Sequence, residues 1–416
     1  MSASTVRWFS SAMPGVQELE EGGYNVNQIL KACLIDGFNE QSVTSIEVDG
    51  SGVATVTFGV AHGFLEHSWV RISGADQSAL NDDWQVYDVT ELTLKFQTEL
   101  GVTTATGTML ARFATPSAGT DRGWELLEEE GTKIAIAPKL PVEMTRSVCI
   151  VDTTAVGYNG ASGIRYARGC QMYGSGDFTS LAVHGEIFGN SLQHGLIPCF
   201  AVANAGARPW LLFADEKFWY LSVSAEGASP NSYGLDLSLI QNWAGFGFPV
   251  KESGLEEYGC MTIGPGARYT VVSTNSTLNW DRYSRSGAFG LLRDQTLGGC
   301  MKLRRSQDTL TQDRDAFLDA AGGELGMGPI TAGEEIFIGK AFVYEGVTNN
   351  YRGRLPGILN PLNQMVFTHG EVRTAPVDGS DRKVMFATRA ARSGDSAHRS
   401  ATITGRIGVD ITGPWR

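Results

Sequence analysis

Residues 62–86 read HGFLEHSWVRISGADQSALNDDWQV, which sets His62 and His67 five apart around Glu66, with Asp76, Asp82 and Asp83 following. Imidazoles and carboxylates are the usual metal ligands and proton carriers, so the stretch is the first place to look for chemistry. The spacing argues against it. Residues five apart on a continuous strand face opposite sides, whereas paired metal-binding histidines usually sit at i, i+4 on a helix. The carboxylates fall in turn-like runs, Ser73–Asp76 and Leu80–Asp83, where Asp and Asn bond the local backbone. A second cluster, His184, Glu186 and His194, offers an acid and two bases inside the glycine-rich LAVHGEIFGNSLQHG, which reads as a loop. Glu186 with Asp177 is the carboxylate pair that a glycan hydrolase would need, held roughly 5–10 Å apart in a cleft. The chain has no G-x-S-x-G elbow and no phosphate-cradling G-x-x-x-x-G-K-[ST]; Asp308, Asp313, Asp315 and Asp319 are not spaced as a calcium loop. The expectation is therefore no catalytic residue, no metal and no cofactor.

The elements that would have to position such groups are mostly strands. Val26, Ile29, Leu30, Cys33 and Leu34 recur at helical spacing, with Asn25 available as N-cap and Gly37 as a stop, so one amphipathic helix of about three turns is predicted. From Val43 to Arg112 the period becomes two: Ala54, Val56 and Phe58, then Trp84 and Val86, then Leu92, Leu94 and Phe96, each alternating with polar neighbours. Turn residues at regular intervals make this a small antiparallel sandwich or barrel. Thr115–Gly123 reads as a linker, and Glu125–Glu130 as a solvated acidic run. Beyond it the blocks IAIA, SVCIVD and WLLFADEKFWYLSV indicate further strands, with a hairpin turning at Asp215-Glu216-Lys217 and its rings packed across the arms rather than stacked on a sugar. Asp308–Ala321 suits a second helix, and EEIFIGKAFVYE, KVMFATRA and ATITGRIGVDITG are strand-like. The predicted fold is mainly β: an arm and helix over 1–42, a small antiparallel β module over 43–114, a central β-rich domain over 124–300, and a C-terminal helix, β-rich segment and tail over 301–416.

Composition narrows the partners. The chain has 416 residues with 33 Lys and Arg against 45 Asp and Glu, a net charge of −12, which disfavours nucleic acid and stable membrane association. Only the stretch after Glu371 is locally basic, which suits a solvated surface or an acidic neighbouring subunit. The opening MSASTVRWFSS lacks the pattern of a secretory signal, and no apolar run approaches the roughly 20 residues of a membrane span, so synthesis and assembly in a cytoplasm are expected. Six cysteines without CxxC spacing read as reduced core residues.

Several blocks also resemble a known group. Ser11-Ala12-Met13-Pro14-Gly15, then Leu34-Ile35-Asp36-Gly37-Phe38, then VATVTFGVAHGF are similar to the opening of structural proteins encoded in the morphogenesis regions of tailed bacteriophages. So are Val70–Ala75 (VRISGA), an Asn-containing turn before Trp84-x-Val86, and Ala105–Thr108 (ATGT), although Asn81-Asp82 stands where such modules commonly have Asn-Gly. The segments RPWLLFADEKFWYL, FGFPVKESGLEEYGCMTIG, Arg352–Gly357 and Asp410–Arg416 extend the resemblance. It implies a non-enzymatic virion component, in the tail or baseplate, assembling in several copies with other virion proteins; the alternatives it leaves are a receptor- or glycan-binding virion protein and a head or neck protein. It carries over no catalytic residue. Within the tail, Ile411, Gly413, Pro414, Trp415 and Arg416 are candidate assembly contacts, since Trp and Arg are enriched at interface hot spots; a terminal strand whose Trp415 covers its own domain is the equal alternative.

Overall fold

A computed structural model describes residues 5–19, 25–117, 121–139, 146–153, 165–172, 196–197, 209–224, 241–248, 250, 260–263, 288–291, 300–305, 338–345, 351–361, 370–377, 379–392 and 402–415. Within them the protein is mainly β, as the alternating pattern predicts. The second helix expected over Asp308–Ala321 lies outside the described residues.

A first strand, β1 (Arg7–Ser10), precedes helix α1 (Val26–Lys31), which runs on as a π-helical turn over Ala32–Asp36. All five residues of the predicted apolar stripe are buried, from Val26 to Leu34. Gly37 ends the helix at φ +72, its N–H closing on the carbonyl of Ala32. Asn25 does sit at the helix start, but its side chain does not cap: the amide donates to Gln17 Oε1 and the Glu18 carbonyl, tying the helix back to the N-terminal arm.

The small module comprises β2 (Phe38–Val48), β3 (Val53–Phe58), β4 (Trp69–Ala75), β5 (Asp83–Gln85), β6 (Thr93–Gln97), β7 (Thr103–Thr104) and β8 (Gly107–Phe113), in the order β5-β4-β8-β2-β3-β6 with β7 beside β2. The long β2 is the corner. Its first half pairs with β8 and its second with β3, across two register shifts, one of them spanning Asn39 at φ +57. Asn is among the few side chains that tolerate that conformation. Backbone bonds of 2.8 and 2.9 Å between Tyr87 and Lys95 then join the chain after β5 to β6, so the sheet closes into a barrel. Along β3 the alternation is as predicted, with Ala54, Val56 and Phe58 buried. Leu92 departs from its series: it lies in the Thr90–Thr93 turn rather than in β6, and is exposed. The Asn81-Asp82 pair is not a hairpin turn either. It follows a 3-10 turn over Ser78–Leu80, and Asn81 pairs both of its amide groups with the backbone of Ala75.

Next come β9 (Trp124–Glu130), β10 (Lys133–Pro138), β11 (Arg146–Asp152), β12 (Arg165–Met172) and β13 (Leu196–Ile197), a five-stranded antiparallel sheet. The acidic run expected to be solvated is thus a strand, and Glu129 meets Lys31 at 2.6 Å. The presumed linker is packed where it leaves the barrel, with Thr115 buried and Ser117 accepting a bond from Arg71.

The remaining strands are β14 (Trp210–Ala214), β15 (Phe218–Ser224), β16 (Gln241–Gly247), β17 (Cys260–Ile263), β18 (Ala288–Leu291), β19 (Cys300–Arg305), β20 (Ile338–Glu345), β21 (Tyr351–Pro361), β22 (Glu371–Val377), β23 (Ser380–Arg392) and β24 (Thr402–Asp410). They form, with β1, a twelve-stranded antiparallel sheet in the order β1-β14-β15-β16-β17-β18-β19-β20-β21-β24-β23-β22. The sheet curls on itself: Tyr220 on β15 donates to the Pro356 carbonyl on β21, and Val250 pairs with Arg354 through backbone bonds. One hydrophobic cluster runs through the barrel, α1, the five-stranded sheet and both flanks of the twelve-stranded sheet.

Gly357 shows how tight this closure is. Its φ is +67, and a Cβ there would lie 2.1 Å from Cε2 of Trp415, so only glycine lets the C-terminal ring seat on β21. Gly370 has a similar φ of +77 but open space around it. Gly357→Ala is expected to cost about 2–5 kcal/mol, combining backbone strain with overpacking, and Gly370→Ala about 1–2 kcal/mol from strain alone. Thermal melting of the two variants should separate them in that order; equal shifts would count against the Trp415 seat.

Candidate functional site

The residues of the opening stretch are dispersed among several separate contacts. His62 is buried at one end of the barrel, its ring 4.5 Å from Phe58 and 5.3 Å from Phe64 between centroids. Both ring nitrogens are used. The Phe64 N–H donates to Nδ1 at 3.0 Å, which leaves the proton on Nε2, facing the Thr93 carbonyl at 3.3 Å. Burial lowers the pKa of this imidazole, so the neutral form predominates at pH 7. His67 points elsewhere and adopts φ +63; its carbonyl accepts from Trp8 Nε1 at 2.9 Å. Glu66 accepts from the N–H groups of Asp88 and Val89. Asp76 accepts from the Thr106 hydroxyl, and Asp82 from the N–H of Asp83. Among the described residues no group of three His, Cys, Asp or Glu side chains could hold a metal ion.

Asp83 is the exception to the turn reading. It is buried on β5 and accepts from Arg7 Nη2 at 2.7 Å and from Arg71 Nε at 2.6 Å. Arg7 is 1% exposed, its guanidinium lies 4.2 Å from the centroid of the Trp69 ring, and its Nη1 donates to the Val6 carbonyl. Arg7 belongs to the twelve-stranded sheet, and Asp83 and Arg71 belong to the barrel, so the ion pair joins the two. Burial lowers the Arg7 pKa and Asp83 opposes that shift, while the Asp83 hydrogen bond raises that of Arg71. Sequence reasoning missed this site because the partners are 76 residues apart and Asp83 follows an Asn-Asp pair that looks like a turn.

The tail is also settled within the chain. Ile411, Gly413 and Trp415 are buried and Pro414 is exposed; Arg416 lies outside the described residues. Asp410 Oδ1 accepts from the N–H groups of Thr412 and Gly413, and its carbonyl accepts from Trp415 Nε1 at 2.7 Å. Burial pushes the Asp410 carboxyl up, opposed by those N–H groups and by Arg382. The Ile411 carbonyl faces Gln85 Nε2 of the barrel at 3.4 Å. Trp415 is buried within its own chain, against Gly357.

The aromatic hairpin turns where predicted, with β14 and β15 paired from Trp210–Val223 to Ala214–Trp219. Asp215 Oδ1 accepts from the N–H groups of Lys217 and Phe218, which makes the turn. Trp210, Phe213, Phe218 and Trp219 are all buried, so the hairpin offers no sugar-stacking surface. Its tip is buried as well, with Glu216 held by Arg122 and the Asp215 carbonyl accepting from Trp124 Nε1. Cys33 and Cys149 are buried, and burial pushes the Cys33 thiol well up. His184, Glu186, His194 and Asp177 lie outside the described residues. No described helix is long and apolar enough to cross a membrane.

No protein-family model and no curated protein matches the chain. Among solved structures it is similar to one described as phage phi92 endosialidase, at 10% identity and a TM-score of 0.16, over 90% of this chain and 52% of that chain. The chain spans about half the length of that protein, and a likeness of this size carries no argument about fold or activity.

The ion pair makes a direct forecast. Asp83→Leu leaves Arg7 buried without its carboxylate and should cost about 3–5 kcal/mol. Arg7→Met should cost less, because Arg71 still holds Asp83. The double variant should recover part of the sum. Denaturant unfolding of the three proteins checks this, and strictly additive losses would contradict a coupled pair.

Proposed function

We propose that the chain is a non-enzymatic structural subunit of a tailed-phage virion, built into the tail or baseplate in several copies. The carrying observation is the Arg7–Asp83–Arg71 cluster: Asp83, one of the carboxylates singled out for chemistry, is spent on fixing the barrel to the twelve-stranded sheet. A subunit of a large assembly needs its modules held in one orientation, because errors in one copy propagate through contacts with the next. The resemblance of the N-terminal blocks to phage morphogenesis proteins supports the same reading. Partners would be other tail or baseplate proteins and further copies of this chain, with assembly in the host cytoplasm. The acidic balance suits protein partners rather than nucleic acid.

Imaging of intact particles tests this. The expected result is density for this chain in symmetry-related copies in the tail or baseplate, with the barrel in the same orientation on the sheet in each. Absence of the chain from purified particles would overturn the proposal, as would turnover of a host-surface glycan by the isolated protein.

A further inference from the structure

The loop that joins β3 to β4 carries more of the N-terminal arm than its length suggests. Its His67 carbonyl receives Trp8 Nε1, and Gly63 lies so close to Pro14 that a Cβ there would be 2.2 Å from the proline Cγ. Asn39, on the corner strand, donates to the His62 carbonyl at 2.8 Å. What closes the loop at its start is the His62 ring, 1% exposed and hydrogen-bonded at both nitrogens.

That pattern tolerates one protonation state. With the proton on Nε2, Nδ1 accepts the Phe64 N–H. A second proton would turn Nδ1 into a donor pointed at a donor, and would bury a cation between Phe58 and Phe64. We infer that His62 is an acid-sensitive clasp: its protonation opens the 59–68 loop and releases the Trp8 and Pro14 contacts of the N-terminal arm from the barrel.

The groups packed on the His62 ring are Phe58, Phe64 and the backbone of Thr90 and Thr93; among the described residues no charged side chain contributes to its electrostatics, and the Glu91 carbonyl accepts from the His62 backbone N–H rather than from the ring. His67, the other imidazole of the loop, is partly exposed; burial lowers its pKa, Glu66 at 3.9 Å opposes that shift and Lys383 adds to it. The sign follows from the lowered His62 pKa. The closed loop is at full strength above the free-histidine value of about 6.5. It weakens about ten-fold per pH unit below that value until the ring in the closed loop also protonates.

Hydrogen exchange of the full chain between pH 7.5 and 5 reads this directly, as protection corrected for the pH dependence of intrinsic exchange. Protection of residues 59–68 and of the Trp8 indole N–H is expected to be lost progressively as the pH falls below about 6.5, while β1, β14 and β15 stay protected. His62→Asn keeps an acceptor for the Phe64 N–H and cannot titrate, so its loop should be flat with pH; His67→Gln should retain the fall. Nitrogen spectra of labelled histidine in the wild-type chain give a second readout that needs no variant: the Nε2–H form at pH 7, titrating together with loop opening. Unchanged wild-type protection, a fall that survives in His62→Asn, or a ring that titrates while the loop stays closed would each overturn the clasp.

Discussion

Arg7 and Asp83 are the constraint on which the arrangement of modules rests. Each is a charge taken almost wholly out of water, and a buried charge is penalised by several kcal/mol unless an opposite charge and hydrogen bonds meet it. Arg7 has its place only when β1 lies at the edge of the twelve-stranded sheet, and Asp83 only when β5 faces that edge. Any other seating of the barrel would leave Arg7 buried without its carboxylate and Asp83 with Arg71 alone. Arg71, a third exposed, bonds the same carboxylate and carries the surplus positive charge toward solvent. The Trp69 ring under the Arg7 guanidinium adds an attraction that needs no further counter-charge. Burial of apolar area would pull the modules together in many poses; the ion pair selects one.

The apolar part of the same junction is continuous. Rings run from Phe9 on β1 to Phe38, Phe113 and Phe64 inside the barrel, with centroid distances of 5.8, 4.8 and 4.9 Å. Phe64 then meets Phe58 and His62. Offset and tilted contacts of this kind are the favoured aromatic geometry, and each ring buries a large area. The polar latch at Asp83 and the ring chain at Phe38 therefore act on the same face of the same strand, through Arg7 and Phe9 two residues apart on β1. This is why four residues suffice to hold the N-terminal arm in a sheet whose next strand begins some 200 positions later.

What could be read from the sequence was local. The helical stripe from Val26 to Leu34, the alternation in β3 and the hairpin at Asp215 are set by spacings of two to four residues, and the structure bears them out. What could not be read depends on distant partners. Asp83 looks like turn chemistry until Arg7 is placed beside it, and the two readings of Trp415 are separated only by Gly357, far upstream. Leu92 continues an apolar alternation but falls one residue before its strand. The Glu125–Glu130 run looks solvated on charge alone, yet its backbone is needed as the partner of β10. For Asp83 and Trp415 a distant partner overrides the local preference, whereas for Leu92 and the acidic run a turn or hairpin with near neighbours does so.

Edges complete the picture of how such a sheet-rich chain meets neighbours. The barrel closes through Tyr87 and Lys95, and the β1 edge of the large sheet is met by the barrel. The opposite edge, β22, carries Pro376 across from Asp381, next to the tight turn between Val377 and Ser380. Hydrogen-bonded and non-bonded pairs alternate along an antiparallel ladder. With Val377 and Ser380 as the closing pair, the backbone N of Pro376 faces outward, so proline removes a donor from the free edge without breaking an internal bond. Exposed Arg373 beside it adds charge at the same edge. Both devices discourage open-ended strand pairing.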